Sequence, residues 1–491
     1  MSHRFEPVLL RRLPTLAAAL GRPLTAGEGL DGALARLIDP RDRAQVWLTL
    51  SVLTGILADE ALVIETARQA QLEPDALGLA VRHRVTEESA TWHVTVERHA
   101  TLLDVANTVT VPLRTGIQRV VCELAKRWGQ RAGVRLIGWT DDMLAPRELT
   151  PAEAAHLRDG TAQAGWGPEP RESTTVIIPW QCRMIEVEVT AEPERAHRLR
   201  SLARFGAATV DAIAYDLIPI TSPETADPAM PAVFAAYLSA MRHYRRLATI
   251  SQATAIEYRG WTKMLSGAGL IGPDLIPVLL PGDAGAPADE DLLAQARQRI
   301  AVGNLPLVLV VGSHEPRKNH LAVLHAAEVL WAEGRQFQLL FIGGHAWRAD
   351  EYGQYLTRLR SAGLPVDGID RATDDLLRAA YALASFTVFP SLNEGFGLPV
   401  AESLATGTPV ITSCFGSTKE IAGQGGGALL IDPRDDDDLI AAMRRLLTDG
   451  ALLDALTAEA KARPVQTWDD YAETVWTVLA EGPVQLPPER G

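Results

Sequence analysis

A chain of 491 residues exceeds the size at which a single hydrophobic core keeps growing, so two or three domains are expected. It is 47% hydrophobic and 22% charged, as ordinary globular proteins are, and its net charge of −14 speaks against a nucleic-acid binder, which needs clustered cations. Three distant cysteines, Cys122, Cys182 and Cys414, show no metal spacing and read as reduced core thiols of a cytoplasmic protein rather than as a disulfide.

The opening "MSHRFEPVLLRRLP" lacks the long apolar region of a secretory signal. Residues 1–97 read as a small helical extension. Leu9, Leu10, Leu13, Leu16 and Leu20 recur at helical spacing, as do the segments around Val46–Leu57 and Leu62–Ala70, with the breakers "GRPLTAGEG" and "LEPDALG" between them. The most apolar run, "VWLTLSVLTGILA", stops at Asp59 and Glu60, well short of the ~20 residues that span a bilayer. No charged or metal-binding cluster marks its purpose. Dimerisation, an assembly partner and a membrane surface all stay open.

From residue 98 the pattern alternates between strands and helices. "TLLDVA" (Thr101–Ala106) is a strand, and "TGIQRVVCELAKRWG" is a helix with Ile117, Val120, Val121, Leu124 and Trp128 on one face. Thr115 and Gln118 fit a capping box at its start, and Gly129 ends it. Further strands are expected at "RLIGW", "TTVIIPW", "AIAYDLIPI" and "LATI". The acidic, Pro/Gly-rich "GDAGAPADEDL" (Gly282–Leu292) is a linker. A second alternating series follows, with strands at "LPLVLVVG", "FQLLFIGG", "VDGID", "FTVFP", "PVITS" and "GALLID". The fold class is therefore α/β, with doubly wound parallel-sheet domains over residues 98–285 and 286–466. An amphipathic helix, "TWDDYAETVWTVLAE", opens the closing segment 467–491.

In such sheets ligands bind beyond the carboxyl ends of the strands. There the second half places Arg317 and Lys318, just after a strand ending near Gly312 and beside a helix for which Asn319 is the expected N-cap. They form either an anion site or a solvated pair. "SLNEGFGLPVAES" sets Glu394 just past another strand and Glu402 on the helix behind Pro399, which Gly407 should end. Both carboxylates can look into the space between the domains. Glu402 alone would also suit a plain helix-dipole partner, which explains neither Glu394 nor the open backbone of Gly395-Phe396-Gly397.

"EGFGLPVAE", "EPRKN", "TGIQRV" and "YDLIPI" together resemble the retaining glycosyltransferases of family four, over roughly residues 100 to 480. The resemblance implies a GT-B fold, with an acceptor-side first domain and a donor-side second domain. It implies transfer of a hexose or deoxyhexose from a nucleotide-sugar to a glycan or lipid-linked acceptor with retention, in polysaccharide biosynthesis. It also implies no metal or other cofactor. Arg317 and Lys318 would hold the donor diphosphate, Glu394 the sugar hydroxyls and Glu402 the ribose. Backbone from Phe396 through Gly397 to Leu398, with Gly312, would line the donor, and Gly116 would lie against phosphate or acceptor. Many relatives carry histidine where this chain has Tyr215. The following Asp216 either steadies the cationic sugar or serves the strand end.

No His/carboxylate cluster with clear metal spacing accompanies these residues, which fits side-chain cations in place of a metal ion. Asp435 to Asp438 open a helix that ends in Arg444 and Arg445, so they read as dipole partners rather than cation ligands. His345, Trp347, Thr418 and Glu420 are further residues within reach of a donor. The tryptophans read as core. Two alternatives remain: a nucleotide-sugar epimerase or hydrolase of the same fold, and a degenerate scaffold whose residues 1–97 recruit partners, at the inner face of the membrane or within an assembly.

Overall fold

The computed structural model describes residues 4–111, 115–159, 173–283, 285–300, 304–344, 350–464 and 466–481. Helices do fill most of the first ninety residues, from Glu6–Leu20 to Glu87–Thr91. At their centre lies Arg43–Thr54, apolar on nearly every side and buried from Val46 through Thr54. Asp42 caps its start by accepting from the backbone N–H groups of Ala44 and Gln45, and left-handed Gly55 ends it.

A helix apolar all round needs cover all round. The neighbouring helices supply part of it and the first sheet supplies the rest. Leu9, Trp47 and Leu53 share one apolar core with Val94, Ile177 and Leu202. The expectation of a purely helical stretch through residue 97 fails at β1 (His93–Glu97), which pairs with a strand eighty residues on. The run of β-branched Val94, Thr95 and Val96 explains it.

Among the described residues the first sheet has nine strands. After β1 come β2 (Thr101–Asp104), β3 (Val134–Trp139), β4 (Pro146–Glu148), β5 (Thr175–Pro179) and β6 (Arg183–Glu186). Then follow β7 (Thr209–Ala214), β8 (Arg246–Thr249) and β9 (Asp274–Pro277). The order is β1-β5-β4-β3-β2-β6-β7-β8-β9. All pairings are parallel except those of β4, which runs antiparallel to both its neighbours. The expected strand "AIAYDLIPI" stops at Ala214, and Ile218–Thr221 turn into a short helix.

The second sheet contains the six expected strands: β10 (Leu307–Val311), β11 (Gln338–Ile342), β12 (Val366–Ile369), β13 (Phe386–Phe389), β14 (Val410–Ser413) and β15 (Ala428–Ile431). All are parallel, in the order β12-β11-β10-β13-β14-β15. The winding direction reverses between β10 and β13, which leaves a crevice at their carboxyl ends. The loops carrying Arg317 and Glu394 both begin there.

The chain crosses between domains twice. After the outgoing linker, it returns near residue 466 and lays the helix Trp468–Ala480 on the first domain. Trp128 donates its indole N–H to the Ala472 carbonyl at 3.1 Å, and Arg246 donates to the Val478 carbonyl at 2.8 Å. Where the domains meet they touch: Phe396, Val400 and Leu404 of the second belong to one buried cluster with Leu103, Val121 and Tyr215 of the first.

Candidate functional site

β10 is followed by Gly312, whose φ of 146° only glycine adopts easily. The chain then turns through Pro316–Lys318 into the helix His320–Ala332. Asn319 stands at the N-cap position as expected, with φ 59°, yet its side chain does not cap; it donates to the Pro433 carbonyl at 2.7 Å.

That turn aims Arg317 and Lys318 at one carboxylate. Arg317 Nη1 lies 2.7 Å from Glu394 Oε2, and Lys318 Nζ lies 2.6 Å from Glu394 Oε1. Arg317 Nε also reaches Glu315 at 2.8 Å, and the Lys318 ammonium sits 4.8 Å from the centre of the Phe389 ring. The solvated-pair reading is thereby excluded, because Lys318 is only 8% exposed. Burial pushes the Glu394 carboxyl upward, but Arg317 and Lys318 outweigh it and hold the group at about 2. Burial lowers the Lys318 ammonium while Glu394 pulls it back. The carboxylate is ionised and held between two cations.

Asp216 joins this group from the first domain. It follows the carboxyl end of β7 and lies directly against the glycine loop. A Cβ on Gly395 would stand 2.6 Å from Asp216 Oδ2, so glycine is required there. Burial raises the Asp216 carboxyl to about 6, against the opposing pull of Arg317. Tyr215 faces elsewhere: its buried hydroxyl donates to the Val187 carbonyl at 2.8 Å. Tyr215 therefore contributes nothing to this cluster.

The glycine loop itself is tied to the first domain. The Gly395 carbonyl accepts from Ser251 Oγ at 2.7 Å and Thr254 Oγ1 at 3.1 Å. Phe396 is buried, and Gly397 at φ 102° begins the helix Leu398–Ala405, with left-handed Gly407 beyond its end. Gly116, at the start of the helix Gly116–Trp128, packs against the Leu398 side chain: a Cβ on it would lie 3.0 Å from Leu398 Cδ1.

The structure departs from expectation at Glu402. It does not look freely into the space between the domains but is 8% exposed and already partnered. One oxygen is ion-paired with Arg119 of the first domain, and the other accepts from the Tyr381 hydroxyl at 2.9 Å. The two glutamates of "SLNEGFGLPVAES" thus sit in two separate clusters, one around Arg317 and Lys318, the other around Arg119 and Tyr381. Neither Arg119 nor Tyr381 was identified from sequence. Arg119 lies inside "TGIQRV", three residues past Gly116, and that proximity was the one available signal.

Glu420 is likewise engaged. Its carboxylate accepts from the backbone N–H of Gln252 and of Ala253 and so caps the helix Gln252–Gly267 across the domain boundary. Thr418 is buried. Asp435 caps the helix Asp436–Thr448, as dipole complementarity predicts. His345 and Trp347 lie outside the described residues. Among the described residues no three His, Cys, Asp or Glu side chains gather as metal ligands would, and no helix is long and apolar enough to cross a membrane.

Residues 294–463 match the family model of glycosyl transferases group 1. The chain is 26% identical to the Serotype-specific mannosyltransferase WbdA of Escherichia coli over 368 residues, 71% of this chain and 41% of that protein. It is 34% identical to the O-antigen chain mannosyltransferase B of Escherichia coli over 164 residues, 33% of this chain and 42% of that protein. The chain thus spans about two fifths of these relatives' lengths. Among solved structures, Anabaena Alr3699/HepE in complex with UDP and glucose superposes with a TM-score of 0.57 at 14% identity, covering 78% of this chain and 100% of that one. WaaG, a glycosyltransferase involved in lipopolysaccharide biosynthesis, superposes with a TM-score of 0.52 at 15% identity, covering the same shares. The architecture is the expected GT-B fold.

Proposed function

We propose that this chain, whose residues 294–463 match the family model of glycosyl transferases group 1, transfers a hexose or deoxyhexose from a nucleotide-sugar to a glycan or lipid-linked acceptor, with retention, in the building of a polysaccharide. The observation that carries the reading is the meeting of Arg317 and Lys318 on Glu394 at the switch point of the second sheet. Breaking a sugar–phosphate bond leaves negative charge on the diphosphate and positive charge on the sugar. Two nearly buried cations placed in advance stabilise that developing anion far better than water-exposed ones would.

Glu394, ionised and acceptor-only, is suited to take hydrogen bonds from sugar hydroxyls once phosphate shares its cations. Asp216, on the opposite wall, is placed to steady the cationic sugar. With Arg317 and Lys318 supplying the positive charge, the reaction needs no metal ion. The relatives named as mannosyltransferases make nucleotide-activated mannose the first donor to offer. The helices between Glu6 and Thr91 pack on the first domain, and an assembly partner or membrane surface on the cytoplasmic side would engage them there.

The test is a panel of GDP-, UDP- and dTDP-hexoses with glycan acceptors, with and without EDTA, read by mass spectrometry. Transfer with retained anomeric configuration, unaffected by EDTA, is expected. Lys318→Ala and Glu394→Ala should each lower turnover about 10²-fold or more; each also leaves a buried partner charge unpaired and so lowers the melting temperature, with circular dichroism checking that the fold is kept. If no nucleotide-sugar raises the melting temperature of the wild-type protein, the reading fails. Donor consumption without any acceptor would instead indicate a hydrolase or epimerase.

A further inference from the structure

Arg119 is held at three places. Its guanidinium pairs with Glu402 Oε1, donates to the Asp283 carbonyl at 2.7 Å, and lies 5.7 Å from the centre of the Trp468 ring. Those partners belong to the second domain, the outgoing linker and the returning helix. One side chain of the first domain therefore fastens the second domain and both chain crossings together. Glu402 is in turn enclosed, with its remaining oxygen on the Tyr381 hydroxyl at 2.9 Å. An ionised carboxylate only accepts, and it offers few directions once buried. Within the pair, the Arg119 side chain is 35% exposed and that of Glu402 10%, so the guanidinium forms the solvent side of the pair.

We propose that Arg119 is a cross-domain latch that competes with the donor nucleoside for Glu402, so that donor entry and release of the latch are one event. The inference takes the identity of the competitor from the nucleotide-sugar reading; the latch itself concerns only the two domains. A ligand that needs the unlatched state binds with its intrinsic affinity multiplied by the fraction of protein unlatched. Removing Arg119 raises that fraction. It also leaves Glu402 without its cation and so more receptive to hydroxyl donors.

The experiment compares wild type, Arg119→Met and Arg119→Lys in two measurements, after circular dichroism has shown that each is folded. Calorimetric titration with GDP and UDP should show the nucleotide that wild type prefers binding on the order of fivefold tighter to Arg119→Met, with Arg119→Lys between the two. Small-angle scattering without nucleotide should show a larger radius of gyration for Arg119→Met than for wild type. Weaker nucleotide binding in Arg119→Met would mean that Arg119 touches the ligand directly, and would overturn the proposal. Scattering identical in all three proteins would overturn it as well, whether or not a nucleotide binds. Failure of both nucleotides to bind any of the proteins would count against the nucleotide-sugar reading, and the scattering would still decide the latch.

Discussion

Glu394 and Glu402 sit eight positions apart in one motif, yet their surroundings give them different chemistry. Two cations hold Glu394 ionised down to about 2, whereas burial outweighs Arg119 and raises Glu402 above the usual range. Asp216 is raised too, to about 6, by burial. If its ionised form steadies the cationic sugar, turnover falls as pH drops through about 6 and the protonated form takes over. A kcat profile from pH 5 to 8 should show that acid limb, and Asp216→Asn should lower the plateau and remove the limb. A wild-type profile flat across this range would refute the role. The cation pair and Glu394 were legible because each follows an apolar run that can only be a buried strand. The partner of Glu402 was not, since an ion pair between the first and second domains leaves no mark on local spacing.

Elements follow the same logic. All six strands of the second sheet were legible, because strands covered on both faces read as continuous apolar runs such as "LVLVV" and "QLLFI". In the first sheet β1, β4, β6 and β9 escaped. β6 is buried at all four positions yet reads Arg-Met-Ile-Glu: Arg183 pairs with Asp211 at 3.7 Å and Glu186 accepts from the Tyr244 hydroxyl, distant partners that the sequence does not show. The helix Gln252–Gly267 depends on such a partner too. Ser251 satisfies one N–H of its first turn, and Glu420 from the other domain accepts from Gln252 and Ala253. Glu420→Ala should cost about 1 kcal/mol in urea unfolding, typical of a lost cap, and Glu420→Gln, which keeps an acceptor, clearly less. Equal losses in the two variants would show that charge, not capping geometry, is what counts.

At the scale of the molecule, the first domain encloses an uneven set of charges. Arg195, fully buried, lies 2.7 Å from Asp104 and 3.3 Å from Glu188, with Glu186 close by and hydrogen-bonded by the Tyr244 hydroxyl at 2.9 Å. One cation cannot balance three carboxylates, and burial pushes Glu186 up to about 8. A carboxyl raised in the folded state contributes stability that is complete below its unfolded pKa of about 4.3 and is lost as pH rises through the folded value. Glu186 should therefore make unfolding easier as pH climbs from about 5 to 8. Denaturant midpoints measured over that range should decline in wild type and decline less in Glu186→Gln. Parallel curves would refute the assignment.

The helix Trp468–Ala480 docks on the domain that the chain left at the linker, so two peptide straps run side by side between the lobes. A lobe hung on one strap can swivel, whereas one hung on two folds about a single axis, as a book cover does. Movement that admits substrates is thus steered toward one path, and severing the linker alone should leave both halves attached.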